Sequence, residues 1–203
     1  MSHRLDGLST LDSWTNGRKA VVQLVGDASG FRAIRKQYRV GFTPQMHREF
    51  LMTSYAASRT SICPSVLSFR PWTRELFIEY LPGERVLEWV LERFGDDLDL
   101  AAFKSFHGLD PNRLDPRVAT AFSRFRESDA PEVRRLKSAL QTSYSVLHRA
   151  KLKHGSADPR NVLYHEGRVF IIDFDNARPS WNPARIDYEE LHYWYGLSEP
   201  IHS

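Results

Sequence analysis

His154-Gly155-Ser156-Ala157-Asp158-Pro159-Arg160-Asn161-Val162-Leu163, followed by Val169-Phe170-Ile171-Ile172-Asp173-Phe174-Asp175, is the stretch on which the fold of this chain turns. It reads as a polar loop, a short hydrophobic strand, a Glu166-Gly167 turn, a second strand and an acid at that strand's exit. A hairpin of this kind is expected to bring Asn161 and Asp173 together at one of its ends. An amide oxygen and a carboxylate held on rigid strands suit a divalent cation of the hard, oxygen-seeking kind.

The segment resembles the catalytic loop and metal-binding Asp of the protein-kinase-like superfamily. There, His-Gly-Asp-x-x-Pro-x-Asn-(Ile/Val)-Leu precedes (Ile/Leu)-Ile-Asp-Phe. It is most similar to the small, atypical members: lipopolysaccharide-core (Kdo) kinases, RIO kinases and aminoglycoside-type phosphotransferases. Asp173-Phe174-Asp175 fits the Ile-Asp-Phe-Asp form that Kdo kinases often carry. The resemblance implies ATP and Mg2+ as cofactors, Asn161 and Asp173 as metal ligands, and a hydroxyl-bearing acceptor on a protein or a small molecule. It is specific over about the last quarter of the chain and weaker before it.

One departure stands inside the motif. The family's catalytic Asp lies two residues after the His, and this chain has Ser156 there. A serine hydroxyl cannot take and hold a proton as a carboxylate does. Asp158 follows two residues later, and in an extended loop the two side chains project the same way. Asp158 is therefore the candidate catalytic carboxylate. The alternative is a pseudokinase that binds nucleotide or a partner and transfers nothing.

The resemblance extends upstream to an N-lobe of antiparallel strands. Strands are expected over residues 5–14, 20–25 and 31–39, separated by turn signals at Asn16-Gly17 and Gly26-Asp27-Ala28-Ser29-Gly30. Gly17 stands where such kinases carry a glycine-rich, phosphate-covering loop, with one glycine and two adjacent cations, Arg18 and Lys19. In the third strand, anchoring on Tyr38-Arg39 selects Lys36 as the residue reaching the nucleotide phosphates. Anchoring on an Ala-x-Lys pattern selects Arg35 instead; Lys36 is the preferred candidate and Arg35 the alternative. A helix opening at Pro44 carries Glu49, the candidate partner for Lys36. A hairpin of residues 66–70 and 75–81 ends at Pro82-Gly83, and the resemblance makes Glu79-Tyr80-Leu81 the adenine-binding connector.

Helices are expected over residues 86–94, 99–106, 117–125, 131–150 and 187–195, the fourth from apolar residues at helical spacing, Val133, Leu136, Leu140, Tyr144 and Leu147. The expectation is an α+β, minimal bilobal kinase-like fold, with an N-lobe over residues 1–81 and an abbreviated, mostly helical C-lobe over 82–203. No conventional activation segment is expected after Asp175.

Composition excludes several classes. At 203 residues, 41% hydrophobic and 26% charged, the chain is of ordinary globular make-up. A net charge of +3 is mild and spread along the chain, so nucleic acid is not an expected partner. The single Cys63 forms no disulfide within the chain, which fits a reducing compartment. With no apolar run of membrane length and no signal-type N-terminus, a cytoplasmic protein is expected, with export by another kind of signal left open. The eight histidines show no metal-ligand spacing. His154, Ser156 and Asp158 lie too close in sequence for a hydrolase triad, and no Gly-x-Ser-x-Gly elbow is present.

Overall fold

The computed structural model describes residues 5–14, 19–96 and 115–198. It is a mixed α and β structure whose largest sheet is antiparallel. The described chain divides into two compact units. The first runs up to Leu81 and takes in Asp173–Asn176, and the second holds Pro82–Ile172 and the residues from Ala177 onward.

In the first unit, β1 (Ser9–Trp14), β2 (Ala20–Gly26), β3 (Arg32–Tyr38), β4 (Val66–Arg70) and β5 (Glu75–Glu79) form one sheet in the order β1-β2-β3-β5-β4. Every pairing in it is antiparallel. β1 begins at Ser9, later than the expected residue 5. Alternation along the strands sends side chains to two faces. On one face Ala20, Tyr38, Leu76 and Ile78 pack with Met46; on the other Val25, Ala33 and Phe77 pack with Leu5.

The helix α1 (Thr43–Arg59) covers the first of these faces, with a proline in its first turn where a missing N–H costs nothing. Its buried stripe is Met46, Glu49, Thr53 and Ala56, and Phe50 stacks on Phe69 of β4 with ring centroids 4.3 Å apart. Glu49 is thus a carboxylate set into an otherwise apolar, core-facing stripe. After α1, Cys63 is buried, and burial raises its thiol above the usual range, as befits a packing residue.

In the second unit, β6 (Glu84–Arg85), β8 (Val162–His165) and β9 (Arg168–Ile171) form a small sheet, and β7 (Leu152–Lys153) pairs with β10 (Arg178–Pro179). Around them lie α2 (Val86–Phe94), α3 (Pro116–Glu127), α4 (Pro131–Arg149) and α5 (Ala184–Tyr195). Trp89, Phe94 and Phe125 meet edge-on or tilted between α2 and α3. Gly83 runs so close to β8 that a side chain there would meet the Tyr164 carbonyl oxygen at 3.0 Å, at a φ of +138°. The β8–β9 turn puts both Glu166 (φ 48°) and Gly167 (φ 79°) in the left-handed region, as a tight two-residue hairpin requires. The helix expected over residues 99–106 lies outside the described residues. No helix among the described residues is long and apolar enough to cross a membrane.

Candidate functional site

The first unit gathers a charged cluster behind its sheet. Lys36 lies on β3 opposite Val22 of β2 and Leu76 of β5. Its ammonium donates to Glu49 Oε1 at 2.5 Å and to Asp173 Oδ1 at 2.7 Å. The Tyr38 hydroxyl donates to the other Glu49 oxygen. Strand alternation turns Arg35 elsewhere, where its guanidinium donates to Gln23 Oε1 at 2.8 Å and lies 3.8 Å from Glu75. Lys36, and not Arg35, is the cation that meets the helix carboxylate.

Asp173 enters this cluster with a φ of 65°. A left-handed, non-glycine backbone costs energy, and such strain persists where surrounding contacts fix it. The contacts here are the Lys36 pair and the fully buried Phe174 that follows. One residue further, Asp175 is buried as well and accepts from the Lys19 ammonium. The Asp-Phe-Asp segment is therefore held in the first unit by two lysine–carboxylate pairs, one on each side of a buried aromatic ring.

Burial alone would lower the Lys36 pKa, but the Asp173 and Glu49 carboxylates outweigh it and hold the ammonium above its ordinary value. Burial pushes Glu49 up to about 7, against the opposing pull of Lys36. Lys36 is thus the fixed charge of the cluster and Glu49 the group that titrates near neutrality.

Glu79 closes β5 and binds back to the chain. Its N–H donates to the Ser65 carbonyl at 2.9 Å and its Oε2 accepts from the Ser65 N–H at 3.0 Å. Leu81 is half-buried at the end of the unit, next to Pro82. Gly17 lies outside the described residues.

The second unit carries the His154 loop. The Asp158 side chain caps the short 3-10 turn Pro159–Asn161, accepting the Arg160 N–H at 2.9 Å. It also accepts a two-pronged guanidinium contact from Arg160, at 2.8 Å on Oδ1 and 2.6 Å on Oδ2. Asp158 is 8% exposed. Three donors on a carboxylate with four acceptor positions leave one on Oδ2 for a further hydroxyl. Asn161 Nδ2 donates to Ser156 Oγ at 3.3 Å, and the Asn161 carbonyl accepts the Ile172 N–H at 2.9 Å. Val162 pairs with Ile171 in the same hairpin, so Asn161 lies opposite the residue that precedes Asp173 in the chain.

The support for this loop is a feature the sequence did not single out. Asp187 of α5, 1% exposed, accepts the His154 N–H at 2.9 Å on Oδ2 and the Gly155 N–H at 2.9 Å on Oδ1. His148 Nε2 lies 2.9 Å from the same Oδ2. Glu190, one turn on, accepts the Ala157 N–H at 2.5 Å, and the Tyr195 hydroxyl donates to the Ala157 carbonyl at 3.1 Å. Asp187, Glu190 and Tyr195 fall at the spacing of one helix face, but nothing in the sequence says which loop that face supports. The His154 ring lies between the Ser156 and Ile172 carbonyl oxygens, which ties the loop to the end of β9.

Among the described residues no group of three or more His, Cys, Asp or Glu forms a cage for a metal ion. Within the first unit Asp173 supplies one carboxylate, the kind of ligand by which Mg2+ is commonly held, one or two at a time, together with waters and substrate phosphates. No protein-family model matches the chain, and no curated protein matches it significantly.

Proposed function

We propose that the protein is an ATP- and Mg2+-dependent phosphotransferase of protein-kinase-like, bilobal design, acting on a hydroxyl of a protein or small molecule. The observation that carries this reading is the Lys36–Glu49–Asp173 cluster. Its members stand 13 and 137 residues apart in sequence, yet one ammonium binds both carboxylates. A buried ion pair is a poor way to stabilise a fold, since apolar residues of the same volume often do as well or better. A lysine fixed by a helix glutamate beside a strand-exit aspartate is what orienting a polyphosphate requires.

In this reading Lys36 binds the α- and β-phosphates, Glu49 positions Lys36, and Glu79 to Leu81 meet the adenine with their backbone. Asp173 and Asn161 would hold Mg2+, whose positive charge would offset the negative charge of the phosphates. Asp158 orients the acceptor hydroxyl through its remaining Oδ2 position and takes up its proton. Asp187, Glu190 and Tyr195 keep the loop bearing Ser156, Asp158 and Asn161 in one shape, which is where such catalysis gains most.

A second reading has its own support. Ser156 replaces the usual carboxylate and Arg160 engages both Asp158 oxygens, as expected of a pseudokinase that binds nucleotide or a partner without transferring phosphate. Calorimetric titration with ATP and Mg2+ tests what the two readings share. Binding is expected in the wild type and weakened at least tenfold in Lys36→Met. An absence of binding in the wild type removes the phosphotransferase reading and leaves, of the second, only a pseudokinase that binds a partner.

A further inference from the structure

Between β1 and β2 the sequence carries a single glycine, Gly17, too few to cover phosphates through the backbone in the phosphotransferase reading, and the structure offers a side chain instead. Lys19 is the first described residue after that stretch. Its carbonyl accepts the Arg39 N–H at 2.9 Å, which extends the β2–β3 ladder by one rung and fixes the Lys19 backbone. From that anchor the side chain reaches the carboxylate of Asp175.

The two lysines of the cluster are held differently. Lys36 is 12% exposed and binds two carboxylates. The Lys19 side chain is 40% exposed and, among the described residues, binds one, Asp175, which is only 6% exposed. An ammonium with a single carboxylate partner and an open flank gives up that partner at less cost than a lysine bound twice in a buried setting.

We propose that Lys19 is a second phosphate-contacting cation, and that Asp175 is its resting partner, holding the ammonium beside Asp173 until a nucleotide polyphosphate takes it. The inference rests on the phosphotransferase reading and deepens it. The contact that glycine amides make in a conventional loop is made here by one charged side chain, and recognition is directed to the polyphosphate. Asp175 acts against binding, because its carboxylate competes with phosphate for the ammonium.

Lys19→Met alone strands a buried carboxylate, so the informative comparison is Asp175→Asn against Asp175→Asn combined with Lys19→Met. Each full-length variant is titrated with ATP·Mg2+ and separately with adenosine. Asp175→Asn is expected to bind ATP about threefold more tightly than wild type, the worth of one partly exposed ion pair. The double variant is expected to bind ATP about tenfold more weakly than Asp175→Asn, with adenosine affinity equal in both.

An independent readout needs no variant. Acylation of lysines in the wild type, followed by mass spectrometry, should show Lys19 protected by ATP·Mg2+ and not by adenosine. Equal ATP affinity in the two variants, an equal loss for adenosine, or unchanged Lys19 labelling overturns the assignment of Lys19 alone. A wild type that binds no ATP overturns this inference together with the reading beneath it.

Discussion

Asp187→Asn is the substitution whose cost the structure specifies best. The carboxylate is 1% exposed and receives the His154 and Gly155 N–H groups on its two oxygens, with His148 on one of them. An asparagine keeps one acceptor oxygen and presents an NH2 group to the donors that met the other. One backbone N–H is then left buried without an acceptor, at about 1–3 kcal/mol, and the surviving bonds lose their charge assistance, at about 1 kcal/mol. The expected loss is about 3 kcal/mol, a large share of the roughly 5–15 kcal/mol by which domains are stable. In a chain of this size that lowers the melting temperature by about 6–12 °C. Thermal unfolding followed by circular dichroism measures it, with Glu189→Gln, an exposed neighbour on the same helix, as a control expected to shift it little. Melting of Asp187→Asn within about 2 °C of the wild type would refute the claim that this carboxylate braces the loop.

Three further outcomes are expected. Glu49 has its pKa raised from an ordinary 4.5 to about 7, so between these values the native state keeps a proton that the unfolded state has lost. Stability should therefore fall by about 3 kcal/mol as pH rises through that window, and denaturant melts of Glu49→Gln should lack this slope. The Tyr144 hydroxyl is fully buried with no hydrogen-bond partner among the described residues, so Tyr144→Phe should stabilise the protein by about 1 kcal/mol in the same melts. Asp158→Asn should lower turnover by about 10²–10⁴-fold with ATP binding retained. Unchanged turnover with a lower melting temperature would leave that carboxylate only its capping role.

Much of the secondary structure was legible because local signals agreed with one another. The α2 span of Val86–Phe94 matches its expected bounds, and the β8–β9 hairpin follows from Glu166-Gly167 between two apolar runs. Boundaries slipped where the signal was diffuse: α5 starts at Ala184, three residues before Asp187, and β1 starts late. The choice between Lys36 and Arg35 depended on register. Sequence patterns supported either residue, and only the pairing of β3 with β2 and β5 decides which one shares a face with Glu49. The bracing by Asp187, Glu190 and Tyr195 was illegible for a related reason. It joins residues 32 to 38 positions apart through backbone groups, which every residue carries alike. Asp158 shows the limit of spacing arguments: its position marked it as the candidate catalytic carboxylate, but not that its neighbour Arg160 would contact both oxygens and leave one position open on Oδ2.

The central claim is that the Lys36–Glu49–Asp173 cluster serves phosphoryl transfer. Radiolabelled ATP and Mg2+ incubated with the protein and a mixture of small hydroxylated metabolites and lysate proteins tests it most directly, with Asp173→Ala run in parallel. The account predicts label moved from ATP to an acceptor by the wild type and a loss of several orders of magnitude in Asp173→Ala. ATP bound by the wild type with no label transferred, or equal transfer by the two proteins, would contradict it.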